Sequence, residues 1–129
     1  MLNISNAFLT LVIKRLNDQY DLFNNKELDV FCLPFIEDKE IVNSIQIRYG
    51  DYEIIAYNTE NKNKFRTTIN NKGPYWPVVE DFDNGPDAVE YIISTVAHII
   101  LEPEKIDKLI KTYNDFIETC LNPEGNETC

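Results

Sequence analysis

His98 is the only imidazole in this chain, and the three cysteines, Cys32, Cys120 and Cys129, form neither a C-x-x-C pair nor a Cys/His cluster. Zinc centres are built from such clusters at short, regular spacings, so no metal site is expected. The phosphate-cradling G-x-x-x-x-G-K-[ST] loop is missing, as are G-x-G-x-x-G, H-E-x-x-H and G-x-S-x-G. With them go the sequence signatures of nucleotide binding, metalloprotease chemistry and nucleophile-elbow hydrolysis, and no cofactor is expected. No apolar run reaches the roughly 18 residues that a spanning helix needs. The segment from Phe8 to Ile13 is apolar apart from Thr10, but no positive stretch precedes it and Lys14 and Arg15 follow. It does not read as a secretion signal, and a cytoplasmic location is the expectation. Without such a signal the glycosylation patterns at Asn3 and Asn126 carry no weight. There is no internal repeat.

One further absence is local. From Gly73 to Glu104 there is no lysine or arginine, while Glu80, Asp81, Asp83, Asp87, Glu90, Glu102 and Glu104 all fall there. Residues 1–72 carry nine basic and ten acidic side chains; residues 73–129 carry three and twelve. Nearly all of the net charge of −10 therefore belongs to the C-terminal part, and the pI is near 4.4. Such a field repels nucleic-acid phosphates and anionic membranes and suits a basic partner.

What is present is enough for one domain. The chain has 129 residues, 43% hydrophobic and 12% aromatic, which fills a core of ordinary size. Apolar residues from Ile4 to Phe23 recur at helical spacing, with Asn3 or Ser5 as a cap and Asn24-Asn25 as a stop. Leu28 to Leu33 reads as a short strand ended by Pro34, with Cys32 as a small core residue and Glu37 to Glu40 as a charged loop. Ile41 to Tyr49 and Tyr52 to Tyr57 read as a hairpin about Gly50-Asp51, with Gly50 at positive φ. Asn58 to Asn63 is a polar turn, and Phe65 to Ile69 is the next strand. Asn70 to Pro86 is punctuated by Gly73, Pro74, Pro77, Gly85 and Pro86 and reads as a long irregular segment, with Val78-Val79 able to pair briefly at a sheet edge. Asp87 to Leu101 is a largely buried helix, opened by Pro86 and Asp87. Glu104 to Leu121 is an amphipathic helix whose inner face carries Ile106, Leu109, Ile110, Tyr113, Ile117 and Cys120, with Glu104–Lys108 and Asp107–Lys111 as outer ion pairs.

The expected class is α+β: an N-terminal helix, an antiparallel meander of about four strands, and two C-terminal helices on the sheet. Residues 1–121 form the single domain, and 122–129 are a polar tail ending in Cys129.

Chemistry is harder to place. Asp81-Phe82-Asp83-Asn84-Gly85 resembles the start of a calcium loop, but Gly85 stands where a third ligand is required, and the twelfth position is Ile92 instead of a bidentate Glu. Glu90, Ser94 and His98 share a helix face, yet a triad needs the histidine between nucleophile and carboxylate, and here the serine lies between. Glu80, Asp81 and Asp83 can supply carboxylate pairs, but glycoside chemistry needs them across a cleft. Lys62, Lys64 and Arg66 form a small basic cluster that reads as a solvated hairpin face.

Gly73-Pro74-Tyr75-Trp76-Pro77 is more informative. Tyr and Trp bury much area at little entropic cost, and flanking prolines stiffen the loop. Trp76 either folds back to plug the core or faces a partner. The leading reading is a non-enzymatic protein that binds and neutralises a basic, nucleic-acid-processing protein, in the manner of an immunity protein or a phage-borne inhibitor. Its expected contact residues are Tyr75, Trp76, Glu80, Asp81, Asp83, Asp87 and Glu90. The alternative is a small-ligand module or small enzyme with a pocket between the sheet and helix 87–101, Glu90 and His98 at its mouth. A homodimer through the aromatic loop is the third.

Overall fold

The order of elements follows from where apolar residues alternate and where they recur at helical spacing. A computed structural model describes residues 4–37, 39–59 and 64–121. They form α1 (Ile4–Tyr20), β1 (Leu28–Glu37), β2 (Glu40–Tyr49), β3 (Tyr52–Thr59), β4 (Lys64–Asn70), β5 (Val78–Phe82), α2 (Gly85–Leu101) and α3 (Pro103–Leu121). The strands make one antiparallel sheet in strictly sequential order, β1-β2-β3-β4-β5.

Period-two alternation decides which side of the sheet is dry. Ile47 lies opposite Ile54 and Ile54 opposite Ile69, which in turn faces Val78, so one apolar row crosses four strands. A second row joins Ile45 to Ala56. The sheet residues that join the helices in the hydrophobic core all belong to this face. There they meet Val12 and Leu16 of α1, Val89, Ile92 and Val96 of α2, and Ile106 and Ile110 of α3, all buried. Burying a Val or Ile side chain contributes roughly 1.5–3 kcal/mol relative to leaving it exposed, so these rows set the register and the helix positions together. Packing puts α1 over β2 and β3, α2 over β4 and β5, and α3 beside α2 and β5.

The terminal signals act largely as their chemistry dictates. Gly50 sits at φ +59° in the two-residue turn between Tyr49 and Tyr52. Asn84 caps α2, its side chain accepting the Asp87 N–H at 2.8 Å, with Pro86 in the first turn.

Several expectations need correction. The sheet has five strands, because Val78–Phe82 pairs along its whole length with β4. Within that pairing Arg66 stands opposite Asp81, a cross-strand ion pair that favours a strand where local punctuation argues for a loop. β1 runs through Pro34 to Glu37, since β1 is the outermost strand and a proline with its missing donor on the outer side breaks no ladder bond. α1 stops at Tyr20: Asp21 takes the left-handed conformation at φ 49°, and Phe23 is 93% exposed instead of joining the apolar face. Cys32 is exposed, because β1 is an edge strand and its distal half lies outside the buried cluster. The outer ion pairs of α3 are Lys111–Asp115 and Lys105–Glu102, while Asp107 instead accepts the Tyr52 hydroxyl at 2.8 Å. Asn3, Lys62, the 122–129 tail and Cys129 lie outside the described residues.

Candidate partner-binding site

The loop that leads into β5 is shaped by three short-range constraints. Asn71 accepts the Gly73 N–H on its Oδ1 at 2.9 Å, turning the chain after β4. The ring of Tyr75 then lies against Gly73 so closely that a Cβ there would fall 2.6 Å from Tyr75 Cε2. Pro74 and Pro77 fix φ on either side of the two aromatics.

The fourth constraint comes from far along the chain. Asn114 follows Ile106 and Ile110 at four-residue spacing on α3 and is buried with them. An amide in that position needs partners. Its Oδ1 accepts the Trp76 N–H at 2.6 Å, and its Nδ2 donates to the Trp76 carbonyl at 2.9 Å and to the Ile110 carbonyl at 2.8 Å. The main chain of Trp76 is thereby tied to α3 while the residue itself remains 63% exposed. Trp76 does not plug the core.

Beside it lies an apolar groove of about 350 Å³, lined by Trp76, Pro77, Val79, Tyr113 and Ile117. The loop and β5 supply one wall and α3 the other. Phe116, one turn from Tyr113, is also largely exposed. Large exposed aromatics collected at one place on a surface mark contact sites. Of these residues, only Tyr75 and Trp76 were expected to bind a partner. Tyr113 and Ile117 were assigned to the inner face of α3, and Asn114 was missed. Its signal was a polar residue standing on an apolar helical stripe.

The expected carboxylates are distributed along the path from β5 into α2. Glu80 and Asp81 point to opposite faces of β5. Asp81 accepts two bonds from Arg66, at 2.8 and 2.9 Å, which hold the guanidinium firmly in its charged form. Asp83 pairs with Lys64, and Glu90 pairs with Arg15 of α1 at 2.6 Å. The Arg15 guanidinium lowers the Glu90 carboxyl below the usual range. Asp87 accepts from the Asn84 amide at 3.0 Å in the cap of α2. Glu80 has no ion-pair partner among the described residues; its charge, after burial, helps push the Tyr91 phenol up to about 12. Four of the five expected acids thus have partners within the chain, Asp81, Asp83 and Glu90 in ion pairs and Asp87 in the cap of α2, and the exposed aromatic pair and Glu80 remain.

The alternative pocket takes a different form. A groove of about 210 Å³ sits at the start of α2, lined by Ala7, Phe8, Leu11, Phe65, Gly85, Pro86 and Val89. Neither Glu90 nor His98 lines it; His98 Nδ1 lies 3.4 Å from Glu102 at the end of α2. A third, polar hollow of about 300 Å³ lies at the β2–β3 and β4 ends, around Arg48, Asp51, Tyr52, Glu53, Asn71 and Lys72. Among the described residues no three His, Cys, Asp or Glu side chains gather as metal ligands, and no helix is long and apolar enough to cross a membrane.

No family model, curated protein or solved structure matches this chain.

Proposed function

We propose that this protein is a non-enzymatic binding protein that occupies and neutralises a basic, nucleic-acid-handling protein, the role that immunity proteins and phage-borne inhibitors fill. The observation that carries the reading is Trp76: its backbone is clamped by a buried side chain while its indole is turned outward beside an apolar groove. Holding an aromatic in its bound position before contact removes much of the ordering cost of association. The net charge of −10 supplies steering toward a basic surface and suppresses acidic competitors. The reading places the protein in the cytoplasm, where such partners work.

A small-ligand module ranks second, since the pocket at the start of α2 falls below the roughly 300–1,000 Å³ usual for ligand sites. Self-association through the aromatic loop is the third reading.

The test is capture from host lysate at low and moderate salt, with the parent chain, Trp76→Ala and Glu80→Lys as parallel baits. The expected result is a basic protein retained by the parent, lost with Trp76→Ala and weakened by salt and by Glu80→Lys. Because Trp76 is the only tryptophan, the purified partner should shift its emission and protect it from acrylamide. Equal retention by the parent and Trp76→Ala overturns the reading.

A further inference from the structure

Resting on that reading, we propose that the free edge of β5 takes up an extended segment of the partner as an added strand, with an apolar side chain beside Val79 and a basic one beside Glu80. β5 ends the sheet order, so one of its sides faces no strand. Side-chain bonds across the sheet show which polar groups lie there. Thr67 Oγ1 donates to the Glu80 carbonyl at 3.2 Å, which places that carbonyl on the side of β4. The next residue, Thr68, donates to the Ile55 carbonyl of β3 at 3.4 Å, as the alternation of an antiparallel ladder requires. The same alternation turns the N–H and C=O of Val79 to the free side, where neither has a partner among the described residues.

The two edges of the sheet differ. In β1 the Leu33 carbonyl accepts from Ser44 Oγ at 2.9 Å, so Leu33 faces β2 and Pro34 takes the outward position without a donor. β5 has no proline between Val78 and Phe82, and Val79 is exposed. Such a rung is a template for another chain. Pro77 stands just before the strand, so pairing begins at Val79.

The two faces of this edge select the segment. In the antiparallel arrangement that the whole sheet uses, the residue opposite Val79 exchanges both bonds with it and sets its side chain on the same face. Val79 lines the groove with Trp76, Pro77, Tyr113 and Ile117, so an apolar side chain fits there. The residue before it lies opposite Glu80, on the other face. Glu80 is exposed and has no base partner among the described residues, so a basic side chain fits there. The β5 edge of a second copy brings Glu80 and Asp81 against the same acids, which opposes self-pairing.

The experiment uses the intact chain and the capped hexapeptide Ser-Thr-Lys-Ile-Thr-Ser at up to millimolar concentration. Binding is expected to slow solvent exchange of the Val79 amide proton and to shift Trp76 emission. Methylating the Ile nitrogen of the peptide keeps every side chain and removes the donor to the Val79 carbonyl; binding should weaken roughly tenfold. Replacing its Lys by Glu should weaken binding about fivefold. Val79→Pro removes the outward N–H and leaves the bonds to β4, and should lose the peptide as the methylated form does. Circular dichroism confirms that the variant is folded.

Equal binding of the methylated peptide overturns the proposal in favour of side-chain docking alone. A shift in Trp76 emission without slower Val79 exchange does the same, and so does failure of the parent peptide to bind. Equal binding of the Glu peptide overturns the basic position. A stable dimer by light scattering, with the Val79 amide already protected, gives the edge to a second copy and overturns the proposal too. If Val79→Pro still captures the partner that Trp76→Ala loses, strand addition fails while the proposed function stands.

Discussion

Asn114 grips both polar groups of the Trp76 main chain, accepting its N–H at 2.6 Å and donating to its carbonyl at 2.9 Å. Two bonds between the same pair fix orientation as well as distance, and the third, to Ile110, anchors the amide in its own helix. The outcome is an exposed aromatic whose position is set from below.

That clamp is expected to matter for folding and for contact alike. Asn114→Ala leaves the Trp76 N–H and carbonyl unpaired at a partly buried point, with a cost of about 1–3 kcal/mol. Asn114→Asp keeps an acceptor for the N–H but sets a carboxylate against two carbonyls, so it should destabilise at least as much. Urea unfolding followed by Trp76 emission and by far-ultraviolet circular dichroism gives both values. A loss in Asn114→Ala smaller than that of an exposed substitution, within about 0.5 kcal/mol, contradicts the clamp.

Gly73 is the matching constraint on Tyr75. A methyl group there meets the Tyr75 ring at 2.6 Å, so Gly73→Ala must swing the ring away. Because the ring is at the surface and can move, the cost should stay near the low end of overpacking, about 1 kcal/mol. The ring resonances of Tyr75 should change far more than the melting curve. Unchanged resonances would mean that the two residues do not touch.

Alkaline pH offers a test of the packing between β5 and α2. Tyr91 packs against Phe82 with the rings tilted at 47° and their centres 5.0 Å apart, and its phenol is pushed up to about 12 by burial and then by Glu80. Tyr52 is raised to about 12 as well, by burial and then by Asp107. In the unfolded chain both ionise near 10. Between about pH 10 and 12 the folded state therefore holds more protons than the unfolded one, and stability falls as pH rises. Tyr91→Phe keeps the ring and removes the ionisation, so its stability curve should be flatter over that interval. Denaturant titrations from pH 8 to 11.5 on both proteins make the comparison; parallel curves would place Tyr91 in water.

At the opposite edge of the sheet, Pro34 guards β1. Alternate residues of an antiparallel strand turn their N–H toward the neighbour and away from it. A proline accommodated in the β1–β2 ladder belongs at the outward position, where it removes a donor from the free edge. Exposed Leu33, Ile36 and, across the pairing, Ile41 surround it. Pro34→Val restores the donor in an apolar edge, and concentration-dependent association should follow, visible by light scattering. A variant that stays as dispersed as the parent would show that the edge is protected by other means.

Legibility in the sequence tracked the range of the interactions. The hairpin about Gly50, the opening of α2 at Pro86 and Asp87 and the stripe of α3 rest on contacts within a few residues, and each was readable from spacing. β5 was not, because its pairing depends on Arg66 facing Asp81 across a loop, while Gly73, Pro74 and Pro77 argue locally against a strand. The continuation of β1 past Pro34 required knowing that β1 is an edge. At the site, Tyr75 and Trp76 were visible as residue types in a stiff loop. Asn114 was not, since nothing local links it to a residue 38 positions earlier. The acids misled in part, because Arg15, Lys64 and Arg66 reach three of them only in three dimensions.

The sequential sheet order places the clamp late in time as well as in sequence. Synthesis delivers α1 and then five strands, each able to pair with its predecessor as it emerges, whereas Asn114 arrives only with the last helix. A nascent chain thus displays Trp76 on an untethered loop until α3 docks. Translation that stops short of Asn114 yields a chain with Trp76 present and its grip absent. The docking of α3 is the step at which Trp76 gains its fixed position.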